Sequence, residues 1–205
     1  VKTGKPTWND PLEPIRVAQA VKKMGLRHVV ITSVDRDDLK GDFGASIWAD
    51  TIKETKKVNP GCTVEVLTPD FKGFEPALKI VFDSKPDIFS HNVECVERIS
   101  KAVRAQANWQ RSLGVLEKSI QHGLRTKTGI MVGLGEEVEE VKKTMRQVVD
   151  LGVQIFTIGQ YLQPTKNHLK VEEYISKEQF ELYKEYGYSI GFKVVESGPL
   201  VRSSY

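Results

Sequence analysis

The sequence predicts an α/β fold of repeated βα units with a mostly parallel sheet. Two observations carry this. Short β-branched runs alternate with longer amphipathic stretches along the 205 residues. Several of the amphipathic stretches end at glycines, at Gly25, Gly123, Gly152 and Gly191, which suit left-handed helix caps. The length fits one domain, residues 1–205, with a sizeable core.

The expected strands are 28–34 (HVVITSV), 63–68 (TVEVLT), 87–93 (DIFSHNV), 126–133 (TKTGIMVG), 155–161 (IFTIGQY) and 193–197 (KVVES). Helices are expected at 12–24, 45–58, 74–83, 96–103, 109–122, 136–151 and 177–188. In the 136–151 stretch, Val138, Val141, Met145, Val148, Val149 and Leu151 share one helical face, which should pack on the sheet. Residues 162–176 form a long connection containing Pro and Asn, a place where function often sits. A loop and helix precede the first expected strand, so a closed or nearly closed barrel calls for a further strand upstream. The opening Val1-Lys2-Thr3-Gly4-Lys5 is neither a signal peptide nor an initiator. The expectation is therefore an incomplete barrel, truncated at its front end.

Composition excludes several classes. With 40% hydrophobic and 28% charged residues the chain is an ordinary soluble globular protein. Its 30 basic and 27 acidic residues nearly balance, and the basic ones are scattered or paired, as at Lys22-Lys23 and Lys142-Lys143. No nucleic-acid partner is expected. No apolar run approaches the roughly 18 residues of a membrane span. The two cysteines, Cys62 and Cys95, have no CxxC spacing, cannot make a metal site by themselves, and suit a reducing compartment.

In parallel barrels the polar residues at the carboxyl ends of strands converge on one mouth. The first such end reads Ser33-Val34-Asp35-Arg36-Asp37-Asp38, where ion pairing and helix capping explain the charges as well as a site does. The third reads Ser90-His91-Asn92-Val93-Glu94. Period-two alternation puts Asn92 and Glu94 on one face, and an amide and a carboxylate at that spacing can hold a ribose diol or an amino-acid head group. A polar strand end that caps its neighbours is the other reading.

The next strand runs into a glycine-rich turn and a helix start, Gly129-Ile130-Met131-Val132-Gly133-Leu134-Gly135-Glu136. Glycine permits close backbone approach to a flat ligand, and Glu136 could equally serve the first helical turn through its dipole. The spacing is not the dinucleotide fingerprint GxGxxG, which disfavours nicotinamide binding. Gln160 and Tyr161 add an amide and a phenol at the next strand end. Lys127 offers either a carboxylate partner at the mouth or a solvated strand-edge charge. His28, His122 and His168 have no ligand-spaced partners.

Taken together, ITSVDRDDL (31–39), EVLTPDFKG (65–73), HNVE (91–94), GIMVGLGEE (129–137), IGQYLQP (158–164) and SGPLVRSSY (197–205) resemble lipoyl synthases in order and spacing. These are radical S-adenosylmethionine (SAM) enzymes. The resemblance implies a partial (β/α)6 TIM-like barrel of the radical SAM type, its first strand missing. It also implies SAM and two [4Fe-4S] clusters whose cysteine ligands are absent from this chain, and insertion of two sulfur atoms into a protein-bound octanoyl-lysine to form the lipoyl cofactor. The implied partners are an octanoylated carrier, either a lipoyl domain or the glycine cleavage H protein, and a reductant such as ferredoxin or flavodoxin. A monomer is implied, in the bacterial cytoplasm, the mitochondrial matrix or a plastid.

By the same resemblance, Asn92 and Glu94 contact SAM near its amino-acid and ribose portions, and Ser33, Asp35 and Lys127 are further pocket residues. Gly129, Met131, Gly133 and Glu136 match the pattern G-x-I-x-G-x-x-E that supports the adenine, and Gln160 and Tyr161 border the same ligand. A serine of the terminal segment 202–205 ligates the auxiliary cluster, with Ser204 preferred over Ser203. Val1 to Gly4 resemble the residues just after the family's CxxxCxxC loop. The sequence departs from the family at Lys40-Gly41-Asp42-Phe43-Gly44, in place of Asp-Gly-Gly, and at Cys95, where threonine is common. On this reading the chain alone is inactive. The rivals are a clusterless SAM- or nucleoside-binding scaffold and an aldolase acting through a Schiff base on Lys127.

Overall fold

The computed structural model describes residues 8–104, 106 and 108–205. The expectation placed on Val1 to Lys5 lies outside them. The chain divides into two compact units, residues 1–89 and 90–205.

The first unit opens with α1 (Glu13–Met24), which starts on Pro14 in its first turn and ends at Gly25, whose φ of 64° is left-handed. β1 (His28–Thr32) follows and stops short of the expected residue 34. It pairs in parallel with β2 (Thr63–Leu67), Val29 opposite Val64 and Ile31 opposite Val66. Between them, α2 (Ala45–Val58) begins where the Asp42 carboxylate accepts the backbone N–H groups of Gly44 at 3.0 Å and Ser46 at 2.9 Å. That satisfies donors a helix start leaves unpaired. α3 (Glu75–Asp83) leads to β3 (Ile88–Ser90), and Asp87 N–H donates to Val64 O at 2.8 Å. The core of this unit holds Ile52, Val66, Phe71, Leu78, Phe82 and Phe89, with the Phe82 and Phe89 rings edge to face at 5.0 Å. Each such side chain contributes roughly 1.5–3 kcal/mol on burial.

In the second unit the expected helix 96–103 resolves into a 3-10 turn at Glu97–Ile99 and one α-helical turn, α4 (Ser100–Val103). The Ser100 hydroxyl donates back to Glu97 O at 2.8 Å and closes the tighter turn. α5 (Trp109–Gln121) is capped by Asn108, whose side chain accepts Arg111 N–H at 3.0 Å. β4 (Thr126–Val132), β5 (Ile155–Gln160) and β6 (Val194–Gly198) pair in parallel, with Gly129 opposite Thr157 and Met131 opposite Gly159. α6 (Val138–Asp150) and α7 (Lys177–Ile190) cover this sheet. Val141, Met145 and Val148 of α6 are fully buried with Phe156, Ile158, Phe180 and Val195. Val138 departs from the expected face: it is the first residue of its helix and remains 39% exposed. The described residues thus alternate strand and helix as the sequence predicts, and the pairs β1–β2, β4–β5 and β5–β6 are all parallel.

Candidate functional site

β3 ends at Ser90, and the expected strand 87–93 does not run straight on. His91 N–H donates to Lys127 O at 3.2 Å, Glu94 N–H donates to Gly129 O at 3.1 Å, and Met131 N–H donates to Glu94 O at 2.8 Å. The chain advances from residue 91 to 94 while β4 advances from 127 to 129, which leaves one extra residue, a bulge. Thr128 fills the gap, its hydroxyl donating to His91 O at 2.7 Å and accepting Val93 N–H at 3.2 Å. The result turns Asn92 and Glu94 into one cavity and Val93 into the hydrophobic core. The grouping is the one that alternation predicts, reached by a bulge. His91 is buried and shares a 3.1 Å hydrogen bond with the Ser112 hydroxyl of α5.

The cavity measures about 190 Å³. Asn92, Glu94, Gly129, Met131 and Gln160 line it, so five of the residues expected from sequence meet there. Asn92 Oδ1 is buried with no hydrogen-bond partner. Such an acceptor costs about 1–3 kcal/mol unless something donates to it. Gly129 makes the neighbouring floor, because a Cβ there would stand 2.1 Å from Thr157 Oγ1 and 3.4 Å from Asn92 Oδ1. Glu94 holds a left-handed φ of 72°, a conformation that costs a non-glycine residue of order 1–3 kcal/mol and recurs at functional sites. Burial pushes its carboxyl up from the usual range, against the pull of Arg104, whose guanidinium is 4.0 Å away.

The other expected residues act around the cavity rather than in its wall, and Gln160, though in the lining, has its amide engaged elsewhere. The Glu136 carboxylate accepts Gly133 N–H at 2.5 Å and Leu134 N–H at 2.9 Å, so it shapes the glycine turn. The Gln160 amide is spent on the loop that follows: its Nε2 donates to Tyr161 O and Glu173 O, both at 3.0 Å, and its Oε1 accepts Ile175 N–H at 2.9 Å. Tyr161 is buried beside Cys95 and Leu134, and its hydroxyl donates to Leu169 O at 2.8 Å. Lys127 is 1% exposed, not a solvated strand-edge charge. In the first unit, Ser33 lines a cavity of about 210 Å³ with Ile31, Arg36 and Trp48, and Asp35 is exposed outside that lining. Ser204 is exposed, whereas Ser203 lines the cavity of the second unit.

Sequence reasoning missed Thr157, Leu162, Val201, Arg202 and Ser203 as cavity residues. Thr157 carried a usable signal, since it stands two residues before Gly159 on the same strand face. The terminal segment was singled out through the family resemblance for a cluster-ligating serine, but nothing local placed Val201, Arg202 and Ser203 in the cavity wall, because a long-range approach brings them in.

Metal binding is not built into the described residues: none of them form a group of three or more His, Cys, Asp or Glu able to hold an ion. Both cysteines are buried. Burial, with Glu94 and Glu136 nearby, pushes the Cys95 thiol up to about 12, and burial raises Cys62 as well. A cluster needs thiolates, so these residues do not fit one. Among the described residues, no helix is long and apolar enough to cross a membrane.

The fold agrees with what comparison with known proteins finds. A profile described as the Radical SAM superfamily matches residues 1–148. The chain aligns over 95% of its length with the crystal structure of Streptococcus suis SuiB bound to S-adenosylmethionine, at a TM-score of 0.71 and 10% identity, covering 45% of that chain. It aligns over 94% with HydG, a maturase of the [FeFe]-hydrogenase, at 0.66 and 14% identity, covering 50% of that chain. The protein is a radical SAM superfamily member. Its whole length is 56% identical to the lipoyl synthase of Rubrobacter xylanophilus, 52% to that of Flavobacterium johnsoniae and 52% to the mitochondrial lipoyl synthase of Nematostella vectensis. Within the superfamily, the chain belongs to the lipoyl synthase family. It spans 64% of the Rubrobacter relative's length and 71% and 70% of the other two.

Proposed function

We propose that this chain carries the SAM pocket of a lipoyl synthase, which inserts two sulfur atoms into a protein-bound octanoyl-lysine. The observation that carries the reaction is identity of 52–56% to lipoyl synthases over the full chain. The placement of SAM is supported by the unpartnered Asn92 Oδ1 beside the bare Gly129 floor. SAM, with a reduced [4Fe-4S] cluster, supplies the one-electron chemistry that removes hydrogen from an unactivated alkyl carbon.

The residues of this chain bind and orient. Asn92 Oδ1 accepts a hydrogen bond from an ammonium or hydroxyl of the ligand. Glu94, as carboxylate, attracts the cationic methionyl end or takes a ribose diol. Gly129 lets a flat group approach the sheet, with Ile130 and Met131 beside it as apolar contacts. Gly133 and Glu136 set the turn that borders the adenine, and Gln160 and Tyr161 hold the 161–175 connection in place. Ser33 and Asp35 of the first unit, and Lys127, are proposed as further pocket residues on the family resemblance alone; none of the three lines this cavity. The family implies [4Fe-4S] chemistry. A count of two clusters, with Ser204 as an oxygen ligand to the auxiliary one, belongs to the same proposal, in which Cys62 and Cys95 are ligands to neither.

The proposed partners are an octanoylated carrier, a lipoyl domain or the glycine cleavage H protein, and a low-potential reductant of the ferredoxin or flavodoxin kind. The test is lipoylation of an octanoyl-lysine peptide by the enzyme that carries this sequence together with the family's cluster-binding cysteines, after anaerobic reconstitution with iron and sulfide, read by mass spectrometry. Two added sulfur atoms per peptide support the proposal. SAM binding without any sulfur transfer favours a clusterless nucleoside-binding scaffold instead.

A further inference from the structure

Strand β4 places the ammonium of Lys127 in the interior, with 1% of the residue exposed. A cation removed from water must be hydrogen-bonded to be tolerated. Among its partners is the main-chain oxygen of Tyr205, which Nζ reaches at 2.5 Å. The terminal segment meets the sheet at a second place. Val201 O lies only 2.3 Å from where a Cβ on Gly159 would stand, so the bare glycine is the notch in which the segment rests. Between these anchors lie Arg202 and Ser203, and with Val201 they form one wall of the cavity that Asn92 and Glu94 enter from the other side. Arg202 turns its guanidinium inward to donate to Val201 O at 2.7 Å. Residues 199–205 contain no helix or strand, and inside the segment the backbone supplies only a Tyr205 N–H to Arg202 O bond at 2.9 Å and, at its start, Val201 N–H to Gly198 O at 3.1 Å. Among the described residues, the Lys127 bond and the notch at Gly159 are contacts that tie this segment to the sheet.

We propose that Lys127 is a positioning residue: its Nζ pins Tyr205 and so holds Arg202 and Ser203 against the cavity. Lys127 does not line the cavity itself. The consequence for the ligand rests on the SAM reading above; the pin does not.

The experiment is amide hydrogen exchange on the full chain without ligand, comparing wild type with Lys127→Met. Exchange in peptides covering 201–205 should accelerate at least about tenfold, while β4 and β5 keep their protection, because only a local opening is released. A purely structural lysine would loosen β4 and β5 together with the segment, and unchanged exchange at 201–205 would overturn the proposal outright. Where Lys127→Met fails to fold, Gly159→Ala decides: it displaces the segment and should make Lys127 react severalfold faster with an acylating reagent. Unchanged labelling there also overturns it. In the reconstituted enzyme of the lipoylation test, Lys127→Met should lower turnover more than it weakens SAM binding. Failure of the unmutated protein to bind SAM would sink the functional reading and leave the exchange result standing.

Discussion

Arg98 and Glu140 form a two-pronged ion pair, Nε to Oε1 at 2.7 Å and Nη2 to Oε2 at 2.8 Å, and the same Nη2 donates to Gly135 O at 2.7 Å. Glu140 also accepts Glu137 N–H at 2.8 Å as half of a capping box. One guanidinium therefore ties the turn after β3 to the glycine turn and to the start of α6. Through Gly133, which abuts the Gln160 amide, the tie reaches the cavity wall.

This clamp has a pH signature. The hydrogen bond from Arg98 holds the Glu140 carboxyl down at about 2. A depressed carboxyl contributes stability above its ordinary value near 4.5, and loses it as pH falls towards about 2. Both groups are largely solvated, so the effect is small. Arg98→Ala should destabilise the protein slightly at neutral pH in urea denaturation, and the gap from wild type should shrink as pH falls from 4.5 towards 2.

Glu94 works in the opposite direction. Its carboxyl is raised by burial, so it takes up a proton above the ordinary carboxylate range as pH falls. Affinity for a cationic ligand should therefore weaken with acidification earlier than an exposed carboxylate would predict. Glu94→Gln should bind more weakly at neutral pH and lose this acid limb. A limb that persists in Glu94→Gln would assign it to another group. SAM affinity measured by equilibrium dialysis across pH makes the comparison.

Gly129→Ala tests the floor of the cavity. The added methyl would meet Thr157 Oγ1 at 2.1 Å, an overlap that should cost roughly 1–3 kcal/mol of stability and close the cavity beside Asn92. Thr157→Ala in the same protein removes the nearest atom and should recover part of the loss. Denaturant titration of the two single variants and the double gives the coupling directly.

Gln160 anchors the 161–175 connection through three hydrogen bonds made by one buried amide. Gln160→Ala should free that connection, leaving Ile175 N–H and the Glu173 carbonyl unmatched. Limited proteolysis should then cut within 162–176 at rates well above wild type, with the rest of the chain protected.

Much of this was legible in the sequence where the signal is local. Strand starts at His28, Thr63, Thr126 and Ile155 fell where the β-branched runs begin, and α2 ran from 45 to 58 as its apolar spacing predicts. The end of β3 was not legible, because the bulge is made by the Thr128 hydroxyl on another strand, a contact no local pattern announces. Asn92 and Glu94 enter one cavity, as the grouping of their spacing predicts. Gln160 was found for its position, but its amide proves to be committed to the loop. Val201, Arg202 and Ser203 belong to a segment the sequence singled out for a cluster-ligating serine; their place in the cavity wall was not legible, because the contacts at Gly159 and Lys127 bring them there over a long range.

The most direct measurement is the affinity of SAM for this protein by equilibrium dialysis, wild type against Asn92→Ala. If the cavity of the second unit is the SAM pocket, the wild type binds and removal of the unpartnered Oδ1 weakens binding by about tenfold, the loss of one buried hydrogen bond. Equal affinity of the two proteins would contradict the account, and absence of binding to either would place the pocket elsewhere.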